Sequence, residues 1–231
     1  ITNESILRIF ENSAGNWTQL GSDIITFGGF SSTVSMNHDG SKIIFGSPGA
    51  SSVNGETSGV VKVFEFVNGN WSQLGSEIYG DNKWEWLGYV SMDSTGNRIS
   101  VGRENLNNSS LNWVPGISVV DVYDYLNGNW VKFGSSIIDS DTTRSCYNSL
   151  SADGNTLVVN NKQGKTEIYD LSNNSISLIS THYENLITES VISNDGKIVS
   201  VLTGDSIKFY GETFCNQPLD ITIHAAPTLD L

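Results

Sequence analysis

Carboxylates are the side chains in this sequence with the most chemical potential, because two of them about 5–10 Å apart can hydrolyse a glycosidic bond. Acidic residues recur, however, at one position of an internal repeat, as Glu11, Glu65, Asp124 and Asp170. A residue that recurs in register is better explained by a structural role, such as binding the adjacent turn amides, since an active site is expected to break a repeat. The sequence therefore predicts no catalytic residue and a protein that is not an enzyme. A glycan-binding or glycoside-acting enzyme is the alternative, which two carboxylates converging in a central pocket would favour.

Histidine and cysteine add little further chemistry. His38, His182 and His224 form no pair with metal-ligand spacing, and neither a His-Glu-x-x-His nor a Cys-x-x-Cys motif occurs. Cys146 has no identifiable histidine or asparagine partner nearby, which argues against a nucleophilic role. The sequence leaves open a disulfide between Cys146 and Cys215 or two buried free thiols. We expect no metal and no cofactor.

An internal repeat must position any such residue. The sequence Gly-Asn-Trp occurs three times, at Trp17, Trp71 and Trp130, each followed after two residues by Leu-Gly or Phe-Gly. A fourth copy has Ile176 in place of tryptophan, and a fifth, Lys208-Phe209-Tyr210, is weaker. Identical spacing predicts that the three tryptophans are buried at equivalent places, where truncation to alanine costs roughly 3–5 kcal/mol.

A second motif lies between these copies and ends in Gly40, Gly96, Gly154 and Gly196, each followed by a short apolar run. A turn with glycine between apolar runs predicts a β-hairpin, because primed turns need positive φ at both central residues. His38 is expected on such a turn, in solvent. Two hairpins in every 40–60 residues or so are typical of a propeller blade, whose sheet must stack on its neighbours to bury both faces.

The composition supports an all-β chain and excludes two partner classes. The 231 residues carry 12 basic and 25 acidic side chains, so a nucleic-acid partner is not expected. No apolar run is long enough for membrane insertion by a helix. Few alanines beside many β-branched and aromatic residues favour strands over helices. We predict a β-propeller of four-stranded antiparallel blades over residues 1–214, with four to five repeats visible, which is either closed within the chain or part of a larger ring or array. Residues 215–231 form a tail, strand or linker.

Loops of variable length are the expected binding regions, since connections on a rigid scaffold usually carry recognition. Trp84, Trp86 and Trp113 lie in such loops and are candidate contacts for a ligand or partner, the first two by stacking on sugar rings. Packing of Trp84 and Trp86 under their loop or between blades is the simpler alternative. Asn107 and Asn108 are candidate glycosylation acceptors in a long polar loop.

The residues resemble the integrin alpha-subunit type of repeat, called FG-GAP. The first copy offers Phe27-Gly28, Val34-Ser35, Asp39-Gly40 and Phe45-Gly46-Ser47-Pro48, and the second Leu87-Gly88, Val90-Ser91 and Val101-Gly102. The closing Trp-x-Gln-Leu-Gly is similar to the variant found in secreted proteins of microbes, algae and their viruses. This resemblance implies a propeller on the outside of a cell or virion that serves adhesion, recognition or assembly.

Calcium binding, which many repeats of that family carry out, does not fit these loops. Each Asp-Gly loop offers one acidic residue, whereas calcium takes 6–8 oxygen ligands, several of them carboxylate. We therefore expect metal-free hairpin turns, whose stability a chelator leaves unchanged.

Together these features predict a non-catalytic extracellular module for interaction or assembly, such as a subunit of a surface filament, adhesin or virion appendage. The sequence begins on the third strand of a repeat, so its first hairpin is expected to need strands from elsewhere. Its last residues include Ile221-Thr222-Ile223, which could pair with an exposed edge. The expected partners are other protein subunits or a second copy, with glycans as a further candidate. A monomer that closes its own ring is the alternative.

Overall fold

A computed structural model describes residues 4–27, 32–104, 117–139, 147–161, 163–184, 187–204 and 206–211 of the chain. Every regular element in these residues is a β-strand, and all strand pairs of the named strands are antiparallel. Consequently, the described part of the chain contains no helix of the length and apolarity that a membrane span requires.

The chain opens with a hairpin and continues as four sheets, or blades, in sequence order. The N-terminal hairpin consists of β1 (Glu4–Leu7), β2 (Phe10–Ser13), β3 (Asn16–Gln19) and β4 (Ile24–Phe27), with β2 paired to β3 and β1 to β4. Blade 1 comprises β5 (Thr33–Met36), β6 (Lys42–Ser47), β7 (Val60–Val67), β8 (Asn70–Gln73) and the short β9 (Ile78–Tyr79). Blade 2 comprises β10 (Tyr89–Met92), β11 (Arg98–Glu104), β12 (Ser118–Leu126) and β13 (Asn129–Asp139). Blade 3 comprises β14 (Tyr147–Leu150), β15 (Thr156–Asn160), β16 (Lys165–Asp170) and β17 (Ser177–Tyr183), and blade 4 comprises β18 (Ile187–Ile192), β19 (Ile198–Thr203) and β20 (Ile207–Gly211).

The four sheets form a four-bladed β-propeller, which confirms the predicted fold class. Strands follow one another in order within each blade, as consecutive hairpins require. The N-terminal hairpin supplies the third and fourth strand positions of a repeat, as predicted, and packs on blade 1. Blade 4 has three strands within the described residues. The predicted tail, residues 215–231, lies outside the described residues, as do both cysteines.

Two kinds of turn join the strands, and only one is of the primed type. Asn68 and Gly69 both have positive φ (52° and 83°), as do Asn127 and Gly128, which fits the type I′ turn. In the Asp-Gly loops, by contrast, Gly40 has φ of 73° while Asp39 does not enter the positive region. These loops are five-residue connections in which the glycine amide bonds back three residues, so the expectation of primed turns there was wrong.

Adjacent blades are joined by main-chain hydrogen bonds between their Asp-Gly loops. The amide of His38 donates to Ser94 O (3.0 Å), the amide of Ser94 to Ala152 O (2.8 Å), and the amide of Ala152 to Asn194 O (3.0 Å). The four residues share one loop position, two before the glycine. His38 itself is exposed, as expected. The bonds form a ladder from blade 1 to blade 4, alongside the packing of the first strand of each blade on the next.

Apolar clusters between blades form the core. Ile44, Val61 and Val63 of blade 1 are buried against Met92 and Ile99 of blade 2. Equivalent clusters join blades 2 and 3, blades 3 and 4, and the N-terminal hairpin and blade 1. Each blade thus buries both faces only where it has a neighbour on both sides, which is the stabilising principle of repeat folds.

The fifth copy of the repeat is shifted by one residue from the sequence alignment. Ser200 pairs with Phe209, as Ile44 pairs with Val63, so Phe209 takes the position of Val63 and Tyr210 that of Phe64. The alignment of Lys208-Phe209-Tyr210 with the other copies was therefore wrong. Since a one-residue shift exchanges the two faces of a strand, the corrected register explains why Tyr210 is buried against blade 3.

Candidate interaction surfaces

The repeated tryptophan closes the joint between neighbouring blades. The indole N–H of Trp130 donates to Leu74 O (2.9 Å), and that of Trp71 donates to Leu20 O (2.8 Å) in the N-terminal hairpin. Trp130 is 8% exposed. The leucine of the repeat therefore supplies a main-chain acceptor to the next blade.

The glycine after that leucine makes room for the ring. Gly75 has φ of 73°, and a Cβ there would lie 2.8 Å from Trp130 Cδ1. Tyr125 packs beside the indole at 5.1 Å between centroids, in a tilted arrangement that aromatic pairs favour, and its Cε2 would lie 3.3 Å from the same Cβ. In blade 3 the smaller Ile176 takes this place over Gly134. The Trp-x-x-Leu-Gly spacing is thus the signature of a joint between blades.

The prediction that all three tryptophans are buried holds for Trp130, whereas Trp71 is half-buried and Trp17 is exposed. It lies at the equivalent strand position, opposite Asn12 in the N-terminal hairpin, but its side chain is 69% exposed. The prediction was wrong for Trp17 because each indole is covered by the preceding blade, and the described residues place no blade before the hairpin.

Further apolar side chains share the exposure of Trp17. We call this surface the leading face, and it consists of Ile6, Phe10, Trp17 and Ile25 of the N-terminal hairpin with Val34 and Met36 of β5. The repeat shows what such residues do when a blade precedes them. Phe10 is 51% exposed, whereas Phe64 at the same position is 8% exposed. The leading face is therefore a blade-to-blade surface without its preceding blade.

Blade 4 exposes the complementary kind of surface. We call it the trailing face, and it consists of Val191, Ile198 and Leu202, all exposed. Ile198 takes the position of Lys42 and Arg98, whose side chains reach the following blade. The strands of blade 4 are not packed along β1–β5 within the described residues. Both ends of the array thus present apolar side chains to solvent.

The repeated acidic residues have several roles. Asp124 binds Arg98 through two bonds of 2.7 and 3.0 Å, and Arg98 also donates to Gly154 O of blade 3 (2.9 Å) and lies over the Phe133 ring. Asp170 accepts the amide of Ser172 (2.9 Å), which is the predicted turn contact. The turn-amide role was therefore wrong for Asp124, whose partner is a cation that joins two blades. Sequence reasoning missed Arg98. A signal was visible, because Arg98 and Lys42 occupy the same position, two residues after the glycine of their hairpin loops.

The acidic residues of the Asp-Gly loops bind their own turns. Asp153 accepts the amide of Asn155 (3.0 Å) and the hydroxyl of Ser151 (2.6 Å). These hydrogen bonds to the charged form outweigh burial and lower the pKa of Asp153. The pKa of Asp39 and that of Asp195 are lowered by the same kind of contact. Among the described residues, no group of three or more histidine, cysteine or acidic side chains is placed to hold a metal ion.

Trp84 and Trp86 lie on one loop beside blade 2. Both have positive φ (71° and 52°) and half-buried side chains, and their amides donate to Glu56 O and Thr57 O. Glu85 between them is buried and accepts bonds from the Asp81 amide and Asn82 Nδ2. Their role as ligand contacts stays a prediction, and Trp113, Asn107 and Asn108 lie outside the described residues.

A cluster of charged residues contacts that loop through Glu85. Arg103 donates to Asp121 (2.5 Å) and lies 3.9 Å from Glu85, and Lys132 also binds Asp121 (2.7 Å). Burial, together with the negative charge of Asp121, raises the pKa of Tyr123 to about 12. The sequence gave no sign of this cluster because its members come from four separated segments.

A cleft of about 420 Å³ lies between blades 3 and 4. Its apolar lining is Ile168, Ile179, Val199 and Tyr210, and its polar lining includes Ser180, His182 and Lys197. The His182 ring packs on Tyr210 at 4.3 Å, and its Nε2 is 2.8 Å from the Ser180 hydroxyl. Burial lowers the pKa of His182, against the opposing effect of Glu184. Glu184 in turn accepts bonds from Lys208 Nζ and the Tyr210 hydroxyl.

No protein-family model matches the sequence, and no curated protein is similar to it. The function must therefore be argued from the surfaces themselves.

Proposed function

We propose that the protein is a non-catalytic assembly module that associates head to tail, with the leading face of one copy against the trailing face of a second copy. The observation that carries this proposal is the exposure of apolar side chains on both end faces, together with the burial of Phe64 and Trp130, which take the positions of Phe10 and Trp17 of the leading face inside the array. Exposed apolar patches of this kind usually mark interaction surfaces.

The second copy is the occupant that fits both ends at once. Every internal joint packs one leading-type surface on one trailing-type surface, and the described residues hold one exposed surface of each type. Such a contact joins two different patches, so it is heterologous and produces a ring if the rotation closes or a filament if it does not.

The polar residues support a module without catalysis. Two of the repeated acidic residues serve the fold, since Asp124 joins blades through Arg98 and Asp170 binds its own turn. Asp153 of an Asp-Gly loop also binds its own turn. The resemblance to FG-GAP repeats favours a place outside the cell or on a virion, as part of a surface filament, adhesin or appendage. Other protein subunits are the expected partners in that setting.

The mass of the full chain as a function of concentration tests this proposal. We expect light scattering coupled to size-exclusion chromatography to show higher-order species that increase between about 1 and 100 μM. The double variant Phe10→Ser/Ile25→Ser should be monomeric, because it replaces two exposed apolar side chains of the leading face with polar ones. It leaves every buried residue unchanged. Val53→Ser is the matched control, since Val53 is exposed outside both faces. A monomeric parent chain at every concentration, or a double variant that assembles like the control, would overturn the proposal.

A further inference from the structure

The loop that leads from blade 1 to blade 2 is held in a conformation that its residue types disfavour. We call residues 81–86 the strap, which runs from Gly80 to the fully buried Leu87. Trp84 and Trp86 of the strap have φ of 71° and 52°. Positive φ is rare for bulky side chains, and residues held there are found at clamps and switch regions.

The loop that faces the strap is strained as well. Thr57 has φ of 46°, which a β-branched side chain disfavours. Its carbonyl accepts the Trp86 amide (3.1 Å), and the carbonyl of Glu56 accepts the Trp84 amide (2.9 Å). The two loops are therefore strained at the residues that join them. Breaking these two hydrogen bonds allows all three residues to leave the positive-φ region.

The Glu85 side chain fastens the strap to blade 2. Glu85 is 2% exposed, and its carboxylate accepts the Asp81 amide (2.6 Å) and Asn82 Nδ2 (2.8 Å) and lies 3.9 Å from Arg103 Nε. Burial of a carboxylate is unfavourable unless hydrogen bonds and an opposite charge compensate for the lost water. The closed strap thus depends on the contacts of one carboxylate.

The charged cluster beneath the strap remains paired without it. Arg103 donates to Asp121 at 2.5 Å, whereas it lies 3.9 Å from Glu85 and 3.7 Å from Asp81 of the strap. Lys132 also binds Asp121, at 2.7 Å. Since Arg103 keeps its closest carboxylate when the strap moves away, opening does not leave a buried cation unpaired, which is the strongly unfavourable case.

We propose that the strap is a latch with two states, closed by the Glu85 carboxylate and open when that hold is lost. The structure shows the closed state, in which the side chains of Trp84 and Trp86 are half-buried. Opening relieves the positive φ values and brings both indoles into solvent. The latch therefore controls access to the two tryptophans, independently of the head-to-tail contact.

Amide hydrogen exchange of the full chain, followed by mass spectrometry of the peptide that contains the strap, tests this proposal, because exchange reports local opening. Glu85→Gln should accelerate exchange of the Trp84 and Trp86 amides roughly tenfold or more, since it removes the charge that holds the strap near Arg103. Glu56→Gln is the matched control, because Glu56 is an exposed carboxylate on the facing loop. It should leave strap exchange unchanged.

Two further variants separate the latch from general instability. Asn82→Ala removes one donor to Glu85 from an exposed position and should also accelerate strap exchange. Exchange in β15 should stay as in the parent, and Asn82→Ala decides if Glu85→Gln accelerates exchange there too. Thr57→Gly should slow strap exchange, because glycine adopts positive φ without steric cost and so favours the closed state.

Unchanged strap exchange in Asn82→Ala would overturn the proposal, as would equal acceleration in Glu85→Gln and Glu56→Gln. Faster exchange in Thr57→Gly would do the same, since it would show that positive φ does not oppose the closed state. These readouts are independent of the mass measurements that test self-assembly.

Discussion

Blade 2 and the N-terminal hairpin carry the same repeat, yet the same residue types have opposite environments in them. Trp130 and Trp17 occupy equivalent strand positions, but Trp130 is enclosed by blade 1 and Trp17 faces solvent. Local sequence therefore sets the strand and the direction of the side chain. Burial is set by the neighbouring blade, so it is a property of the joint rather than of the repeat.

The largest expected difference between these two regions comes from deleting the indole in each. Trp130→Ala should lower the free energy of unfolding by about 3–5 kcal/mol, because it empties the joint between blades 1 and 2. In the Phe10→Ser/Ile25→Ser background, which is expected to be monomeric, Trp17→Ala should change it by less than about 0.5 kcal/mol, as expected for an exposed site. Urea denaturation followed by circular dichroism measures both. Equal losses would mean that Trp17 is covered in solution.

A glycine pair separates ring packing from backbone strain. Gly75→Ala and Gly128→Ala both place a Cβ at positive φ (73° and 85°), but a Cβ at Gly128 meets nothing within 4 Å, whereas one at Gly75 meets Trp130. We expect Gly75→Ala to be less stable than Gly128→Ala by about 1–3 kcal/mol, the usual cost of overpacking. Thermal and urea denaturation of the two variants provide the comparison, and a difference near zero would contradict the proposed role of the glycine.

Removing an ion pair should likewise cost more stability in blade 2 than in the N-terminal hairpin. Arg98→Met removes a half-buried guanidinium that binds Asp124 and reaches blade 3, and we expect a loss of about 2 kcal/mol. Arg8→Met removes a pair with Asp23 on the exposed hairpin and should leave stability unchanged within error. A high salt concentration should reduce the stability loss of Arg8→Met further and leave that of Arg98→Met largely unchanged.

The smallest expected effect concerns acid stability. The turn contacts hold the pKa of Asp153 below its ordinary value of 3.8. A group with a lowered folded-state pKa contributes stability that is fully present above the ordinary pKa and is lost as pH falls through the folded value. Asp153→Asn should therefore reduce the slope of stability against pH below about pH 4. Glu11→Gln, at an exposed position of the N-terminal hairpin, is the control. An identical slope in parent and Asp153→Asn would show that the turn does not depend on the charge.

Sequence reasoning reached the strands, their hairpin order and the fold class, because glycine turns and alternating apolar runs are local signals. The alignment of Trp17, Trp71 and Trp130 was also correct as a statement about strand position. It failed for burial, since burial depends on a neighbour that the repeat itself does not encode. The one-residue shift of Phe209 and the Arg103–Asp121 cluster could not be predicted from the sequence for a related reason. Both depend on pairing between distant segments, and no periodic pattern marks them.

The ladder through His38, Ser94, Ala152 and Asn194 has a consequence for how such a protein can evolve. Each rung is a main-chain hydrogen bond, to which the Ser94 hydroxyl adds a second bond at Ala152 O, and the four residues at this position share no side-chain chemistry. A duplicated repeat can therefore connect to its neighbours from the moment it arises, with any residue except proline at that position. Gene duplication can lengthen the array before its loops diverge, so the number of blades is free to change faster than the contacts that bind partners.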